Sequence, residues 1–117
     1  MSLNSSEAAW LRKVLFIIAT YHDQCVAQAE KAGDRAGVKY HAAKAIWSRA
    51  IGENAEFRQG VETEELRELA GELSDQRNRS LESLESGGEE LIATETKEQS
   101  EIAEFCRIME RRCQENM

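Results

Sequence analysis

The sequence predicts an all-α fold, an antiparallel up-down four-helix bundle built of two helical hairpins and open to completion by dimerisation. Three features predict it. Proline is absent from all 117 residues, so nothing removes a helix donor or forces a bend. Apolar residues recur at helical spacing through four long stretches, which are rich in Ala, Leu, Glu, Lys, Arg and Gln, residues that lose little on entering a helix. Turn residues gather at three corners, Gly33-Asp34, Gln59-Gly60 and Gly87-Gly88. The expected organisation is a single helical domain over 1–117, with a disordered N-terminus at 1–5, a first hairpin at 6–58 and a second at 61–117. Each helix runs to about 24–27 residues, roughly 35–40 Å. Equal lengths and short connections suit an up-down bundle.

The first helix takes Ser5 or Ser6 as its N-cap and places Glu7 where the helix dipole favours an acid. Leu11, Val14, Leu15, Ile18, Cys25, Ala29 and Ala32 then fall on one broad face. Trp10, Phe16 and Ile17 add a second apolar side, so residues 10–18 need partners in more than one direction. Gly33 supplies a left-handed turn residue and Asp34 caps the next helix. So short a connection makes the first two helices antiparallel neighbours.

The second helix, over about 35–58, is expected to bury Val38, Ala42, Ala45, Ile46, Ile51 and Phe57, with Trp47 on the flank. Gly37 and Gly52 each cost about 1 kcal/mol relative to Ala. Folding about the Gly33-Asp34 corner aligns residues whose numbers sum to about 67, which sets Cys25 near Ala42, His22 near Ala45 and Ala29 near Val38. Small residues on the second helix face larger ones on the first, so the axes can approach closely.

The third helix opens with Glu62, Thr63, Glu64 and Glu65, acids suited to an N-terminus, and carries Leu66, Leu69, Ala70, Leu73, Leu81 and Leu84 on its apolar side. Gly87-Gly88 marks a turn, Glu89-Glu90 start the fourth helix, and Ile92, Ile102, Cys106, Met109 and Cys113 form its stripe, with Phe105 adjacent. Pairing about that turn sets Leu84 against Leu91, Leu73 against Ile102, Ala70 against Phe105 and Leu66 against Met109. Between these layers, residues 74–80 meet 94–100 in a polar layer with Arg77 opposite Glu98. Such a layer weakens packing and fixes register; the alternative is that these residues simply look outward on a loosely packed segment.

Charge and cysteine content narrow the classes of function. The net charge is −7, and residues 61–117 alone carry seven basic and sixteen acidic side chains. An acidic surface repels phosphate, so neither nucleic acid nor an anionic membrane is expected as a partner. Arg35, Lys39, Lys44 and Arg49, with Tyr40 and Trp47 nearby, form a loose basic stripe better read as a solvated helix face. Three cysteines, an odd number with no secretory leader in view, argue for free thiols and a reducing, cytoplasmic setting. The apolar run at 14–19 is too short for a membrane span, which needs roughly 20 residues.

Chemistry-bearing groups are few. His22 and Cys25 lie on one helical face and the hairpin register brings His41 near, so three nitrogen or sulfur donors converge, with Asp23 or water as a fourth ligand for zinc. No Cys-x-x-Cys or His-Glu-x-x-His spacing supports it. A satisfied histidine beside a small apolar cysteine is the better reading. A nucleophilic Cys25 assisted by either histidine would need a lowered pKa and an open cleft. Cys106 and Cys113 lie about 10.5 Å apart along one helix, too far for a disulfide. A di-iron carboxylate site is excluded because neither histidine has the required Glu-x-x-His spacing.

Residues 29–51, an Ala-Gly-Asp turn between Ala-rich helices, resemble a single tetratricopeptide-type or microtubule-interacting-and-transport-type hairpin. That motif is common to many helical hairpins, and no second copy follows at a period of about 34 residues. The functional expectation is a non-enzymatic helical interaction or scaffold module without a cofactor. It would bind a partner helix, or itself as a homodimer, through an apolar groove near Trp10, Phe16, Ile17 and Trp47. The alternative is a small-ligand or metal site at His22, Cys25 and His41.

Overall fold

A computed structural model describes residues 1–87 and 93–117. The protein is all-α, with helices α1 (Ser5–Ala32), α2 (Arg35–Arg58), α3 (Leu66–Gly87) and α4 (Ala93–Glu115), and a 3-10 turn at Thr63–Glu65. Packing divides the chain into two compact units, Ser2–Val61 and Glu62–Met117. Each is an antiparallel hairpin, α1 with α2 and α3 with α4.

α1 starts one residue before the expected caps. Asn4 accepts from the Glu7 N–H at 2.8 Å while the Asn4 N–H donates to the Glu7 carboxylate at 3.0 Å, a reciprocal capping box. The expectation of a disordered 1–5 segment is corrected here. Leu3 is buried, its N–H donates to the Gln59 carbonyl at 2.9 Å, and Ser2 bridges to Gly60. Those hydrogen bonds, with the apolar burial of Leu3, offset the entropy of ordering the terminus. Gln59, rather than Gly60, takes the left-handed conformation that ends α2, at φ 51°. Gly33 ends α1 at φ 70°, and Asp34 caps α2 through the Gly37 N–H at 2.9 Å.

α1 buries Leu11, Val14, Leu15 and Ile18 completely, each contributing about 1.5–3 kcal/mol. Cys25, expected on the buried face, is half-buried, and Ala32 is exposed. On α2 the buried stripe is Ala45, Ser48, Gly52 and Ala55, not the stripe containing Ile46 and Phe57. All four are small, and a Cβ built on Gly52 would stand 3.3 Å from Leu15 Cβ and 3.4 Å from Arg12 Cα. The helices therefore approach almost backbone to backbone, and a larger side chain on that face would force them apart. Arg12 with Glu56, Asp23 with Arg49 and His22 with His41 bridge the pair, close to the expected register.

In the second hairpin, Leu66, Leu69 and Leu73 on α3 and Ile102, Cys106, Met109 and Cys113 on α4 are fully buried. Leu81 is exposed and Leu84 half-buried, against expectation. The register also differs. Arg77 pairs with Glu110 at 3.3 Å instead of lying opposite Glu98, a shift of roughly three turns along α4. Gly87 is the last residue of α3 and α4 begins at Ala93. The turn expected at Gly87-Gly88 therefore falls partly outside the described residues. The expected roles of Glu89, Glu90, Leu91 and Ile92 lie outside the described residues. A polar layer does exist on α3, where Gln76 and Ser80 are buried and Gln76 donates to Ser80 at 3.2 Å and accepts from Arg79 at 2.9 Å. The 94–100 segment expected opposite it is almost wholly exposed.

Candidate interaction surface

Four aromatic side chains of the first hairpin sit beneath cations. Lys13 lies over the Trp10 ring at 5.0 Å and Arg12 over Phe16 at 5.1 Å, while Lys44 lies over Tyr40 at 5.6 Å and over Trp47 at 5.9 Å. Each contact covers an apolar ring while leaving the charge in water. Trp10, Phe16, Ile17 and Trp47 are all half-buried. Trp10 and Ile17, seven residues apart, share one side of α1. Phe16 lies about 100° around the helix from Ile17, toward the side on which Arg12 reaches Glu56, and Trp47 belongs to α2.

The His22–Cys25–His41 group comes together only in part. His22 is buried, and its Nδ1 lies 2.9 Å from His41 Nδ1, so one ring donates and the other accepts. Tyr21 and Tyr40 each meet the neighbouring imidazole edge to face, at 5.3 and 5.0 Å. Cys25 is half-buried, and among the described residues no three His, Cys, Asp or Glu side chains form a group able to hold a metal ion. Two nitrogens sharing a hydrogen bond are occupied with each other. Nearby, hydrogen bonding to Asp23 raises the pKa of Arg49 further, with burial opposing.

The thiols of the second hairpin are poor nucleophiles. Burial pushes Cys106 up to about 12, partly opposed by Arg79 and Arg77 and reinforced by Glu110. Burial likewise pushes Cys113 up to about 11. Reactive thiols are shifted the other way.

The side chains with most unspent apolar surface are ones whose spacing reads as core. Ile46 is 70% exposed and Phe57 89% exposed, eleven residues apart on one side of α2. Spacing sets them on a stripe of their own without telling it from the one that α1 covers. Residues 36, 39, 43, 46, 50, 53 and 57 follow alternating steps of three and four, and all seven are exposed. The small stripe at 45, 48, 52 and 55 follows the same rule and is the one that α1 covers.

No family model, curated protein or solved structure matches this chain. The hairpin resemblance at 29–51 therefore assigns no family. Among the described residues, no helix is long and apolar enough to cross a membrane.

Proposed function

We propose that this chain is a non-enzymatic helical protein–protein interaction or scaffold module of the reducing cytoplasm, working without a cofactor. The observation that carries the reading is the outward face of α2, where Ile46 and Phe57 hold large apolar side chains in water. An α2 that served only to cover α1 would have no use for them, since its buried stripe is made of Ala45, Ser48, Gly52 and Ala55. Apolar side chains aligned along an exposed helix face are what helix-in-groove recognition uses. Half-buried Trp10, Phe16, Ile17 and Trp47 add amphipathic rings and an aliphatic anchor of the kind that dominates interface energy. A ligand site at His22, Cys25 and His41 has less support, because the two imidazoles engage one another and no third donor completes a metal-holding group among the described residues.

The test places a photoreactive side chain singly at Trp10, Ile17, Trp47, Ile46 or Phe57, and at exposed Glu95 as control, in the native host. A discrete adduct at one or more apolar positions and none at Glu95 is the expected result. Absence of adducts at all five would overturn the reading.

A further inference from the structure

We infer that the partner of the outward α2 face is a second copy of this chain, docked antiparallel about a two-fold axis at Ile46. The inference rests on the reading of the chain as an interaction module and names the partner. Its basis is the order of side chains along one exposed stripe, Ala36, Lys39, Ala43, Ile46, Ala50, Glu53 and Phe57. Steps of three and four keep such a stripe facing one partner helix over its whole length. The stripe is complementary to its own reverse. Lys39 and Glu53 stand seven residues to either side of Ile46, so reversing one copy sets Lys39 of each chain against Glu53 of the other, twice. A parallel pair would instead oppose lysine to lysine and glutamate to glutamate.

Neither charge is engaged among the described residues. Lys39 and Glu53 form no ion pair with any other described residue, whereas Arg12, Asp23, Arg49 and Glu56 on the neighbouring face are all paired. Ala43 and Ala50 flank Ile46 with little more than a methyl group each, so two α2 helices can close on the isoleucine at the axis. Farther out, the same reversal brings the Phe57 ring toward Arg35 of the partner copy, an arginine–aromatic pairing. Antiparallel α2 helices also oppose their dipoles. The strip from 36 to 57 is about 32 Å long at 1.5 Å per residue. A single helix-to-helix strip of that length, with only Ile46 and Phe57 as large apolar side chains, suits a reversible dimer and not a permanent one.

Sedimentation equilibrium of the full chain across about 5 to 500 µM tests this, because association of this kind follows protomer concentration. The wild-type mass should rise from 13.2 kDa toward twice that value, while Ile46→Asp, which alters an exposed position, stays at the monomer mass with unchanged helicity. Lys39→Glu and Glu53→Lys should each weaken the dimer by about tenfold or more, because two opposite-charge contacts become two like-charge contacts. The double variant Lys39→Glu/Glu53→Lys should return to wild-type affinity. A monomeric wild type, undiminished association of Ile46→Asp, or failure of the double variant to recover would each overturn the proposal. The wider reading fails separately: a monomeric wild type that still gives a heterologous adduct from Phe57 removes self-association alone, whereas adducts at none of the apolar positions remove both.

Discussion

Replacing one glycine by alanine at two places in this chain should give opposite results, and the comparison measures how closely α1 and α2 pack. At Gly71, in the interior of α3 and exposed, an added Cβ meets nothing within 4 Å. Gly71→Ala therefore gains the whole helix-propensity difference of about 1 kcal/mol. At Gly52 the same gain is available, but the new Cβ would stand 3.3 Å from Leu15 Cβ, 3.4 Å from Arg12 Cα and 3.6 Å from the Arg12 carbonyl oxygen. Two of those neighbours are backbone, which yields only if the helices separate by a few tenths of an ångström along the whole contact. Overpacking of this kind costs about 1–3 kcal/mol, so Gly52→Ala should fall between neutral and about 2 kcal/mol destabilising, at least 1 kcal/mol below Gly71→Ala. The assay is urea denaturation followed by two probes. Trp10 and Trp47, the only tryptophans, both lie in the first hairpin, so fluorescence reads Gly52→Ala, while helical circular dichroism reads Gly71→Ala. If Gly52→Ala stabilised as much as Gly71→Ala, the small residues of α2 would not be there to admit α1, and the account of the first hairpin would fail.

Four further outcomes follow from contacts described above. Asn4→Ala breaks the capping box and should cost about 1 kcal/mol, visible as a lower urea midpoint in tryptophan fluorescence. Of the three thiols, half-buried Cys25 should react with a disulfide reagent at pH 8 while Cys106, at about 12, waits for unfolding, since its thiolate fraction is reduced by about a thousandfold. The same upward displacement makes folding stability intact below about 9 and progressively lost as pH rises toward about 12, because unfolded chains give up that proton first; Cys106→Ala should flatten the alkaline limb of a stability-pH curve. A double-mutant cycle should find Arg77 coupled to Glu110, by a few tenths to about 1 kcal/mol given partial solvent screening, and uncoupled from Glu98. Coupling to Glu98 instead would restore the register expected from Gly87-Gly88.

The first hairpin was legible in its sequence because its corner is chemically unambiguous. Gly33 accepts a left-handed φ, Asp34 caps from its side chain, and with no slack between them the register of 35–58 against α1 follows. The second hairpin was not, because a glycine is as much at home in the last turn of a helix as in the turn beyond it. Gly87 belongs to α3, and Arg77 pairs with Glu110 and not with Glu98. On α2, periodicity showed apolar stripes without showing which one α1 would take. The choice fell to closeness of approach, and the alanine, serine and glycine stripe won over the one bearing Ile46 and Phe57. Asn4 was passed over for Ser5 because both are good caps; only Glu7, three residues beyond Asn4, distinguished them. His22 and His41 were rightly brought together by the register, but their mutual hydrogen bond is not a spacing that sequence displays.

The clasp between Leu3 and Gln59, extended by Gln59 donating to the Ser5 hydroxyl at 3.0 Å, has a practical consequence. It makes the two extremities of residues 2–61 adjacent points in space, which is the requirement for inserting a segment into a surface loop of a carrier protein without prising that loop open. A pair of rods joined at both ends in this way is a transplantable cassette, offering Ile46 and Phe57 on a carrier of the experimenter's choosing.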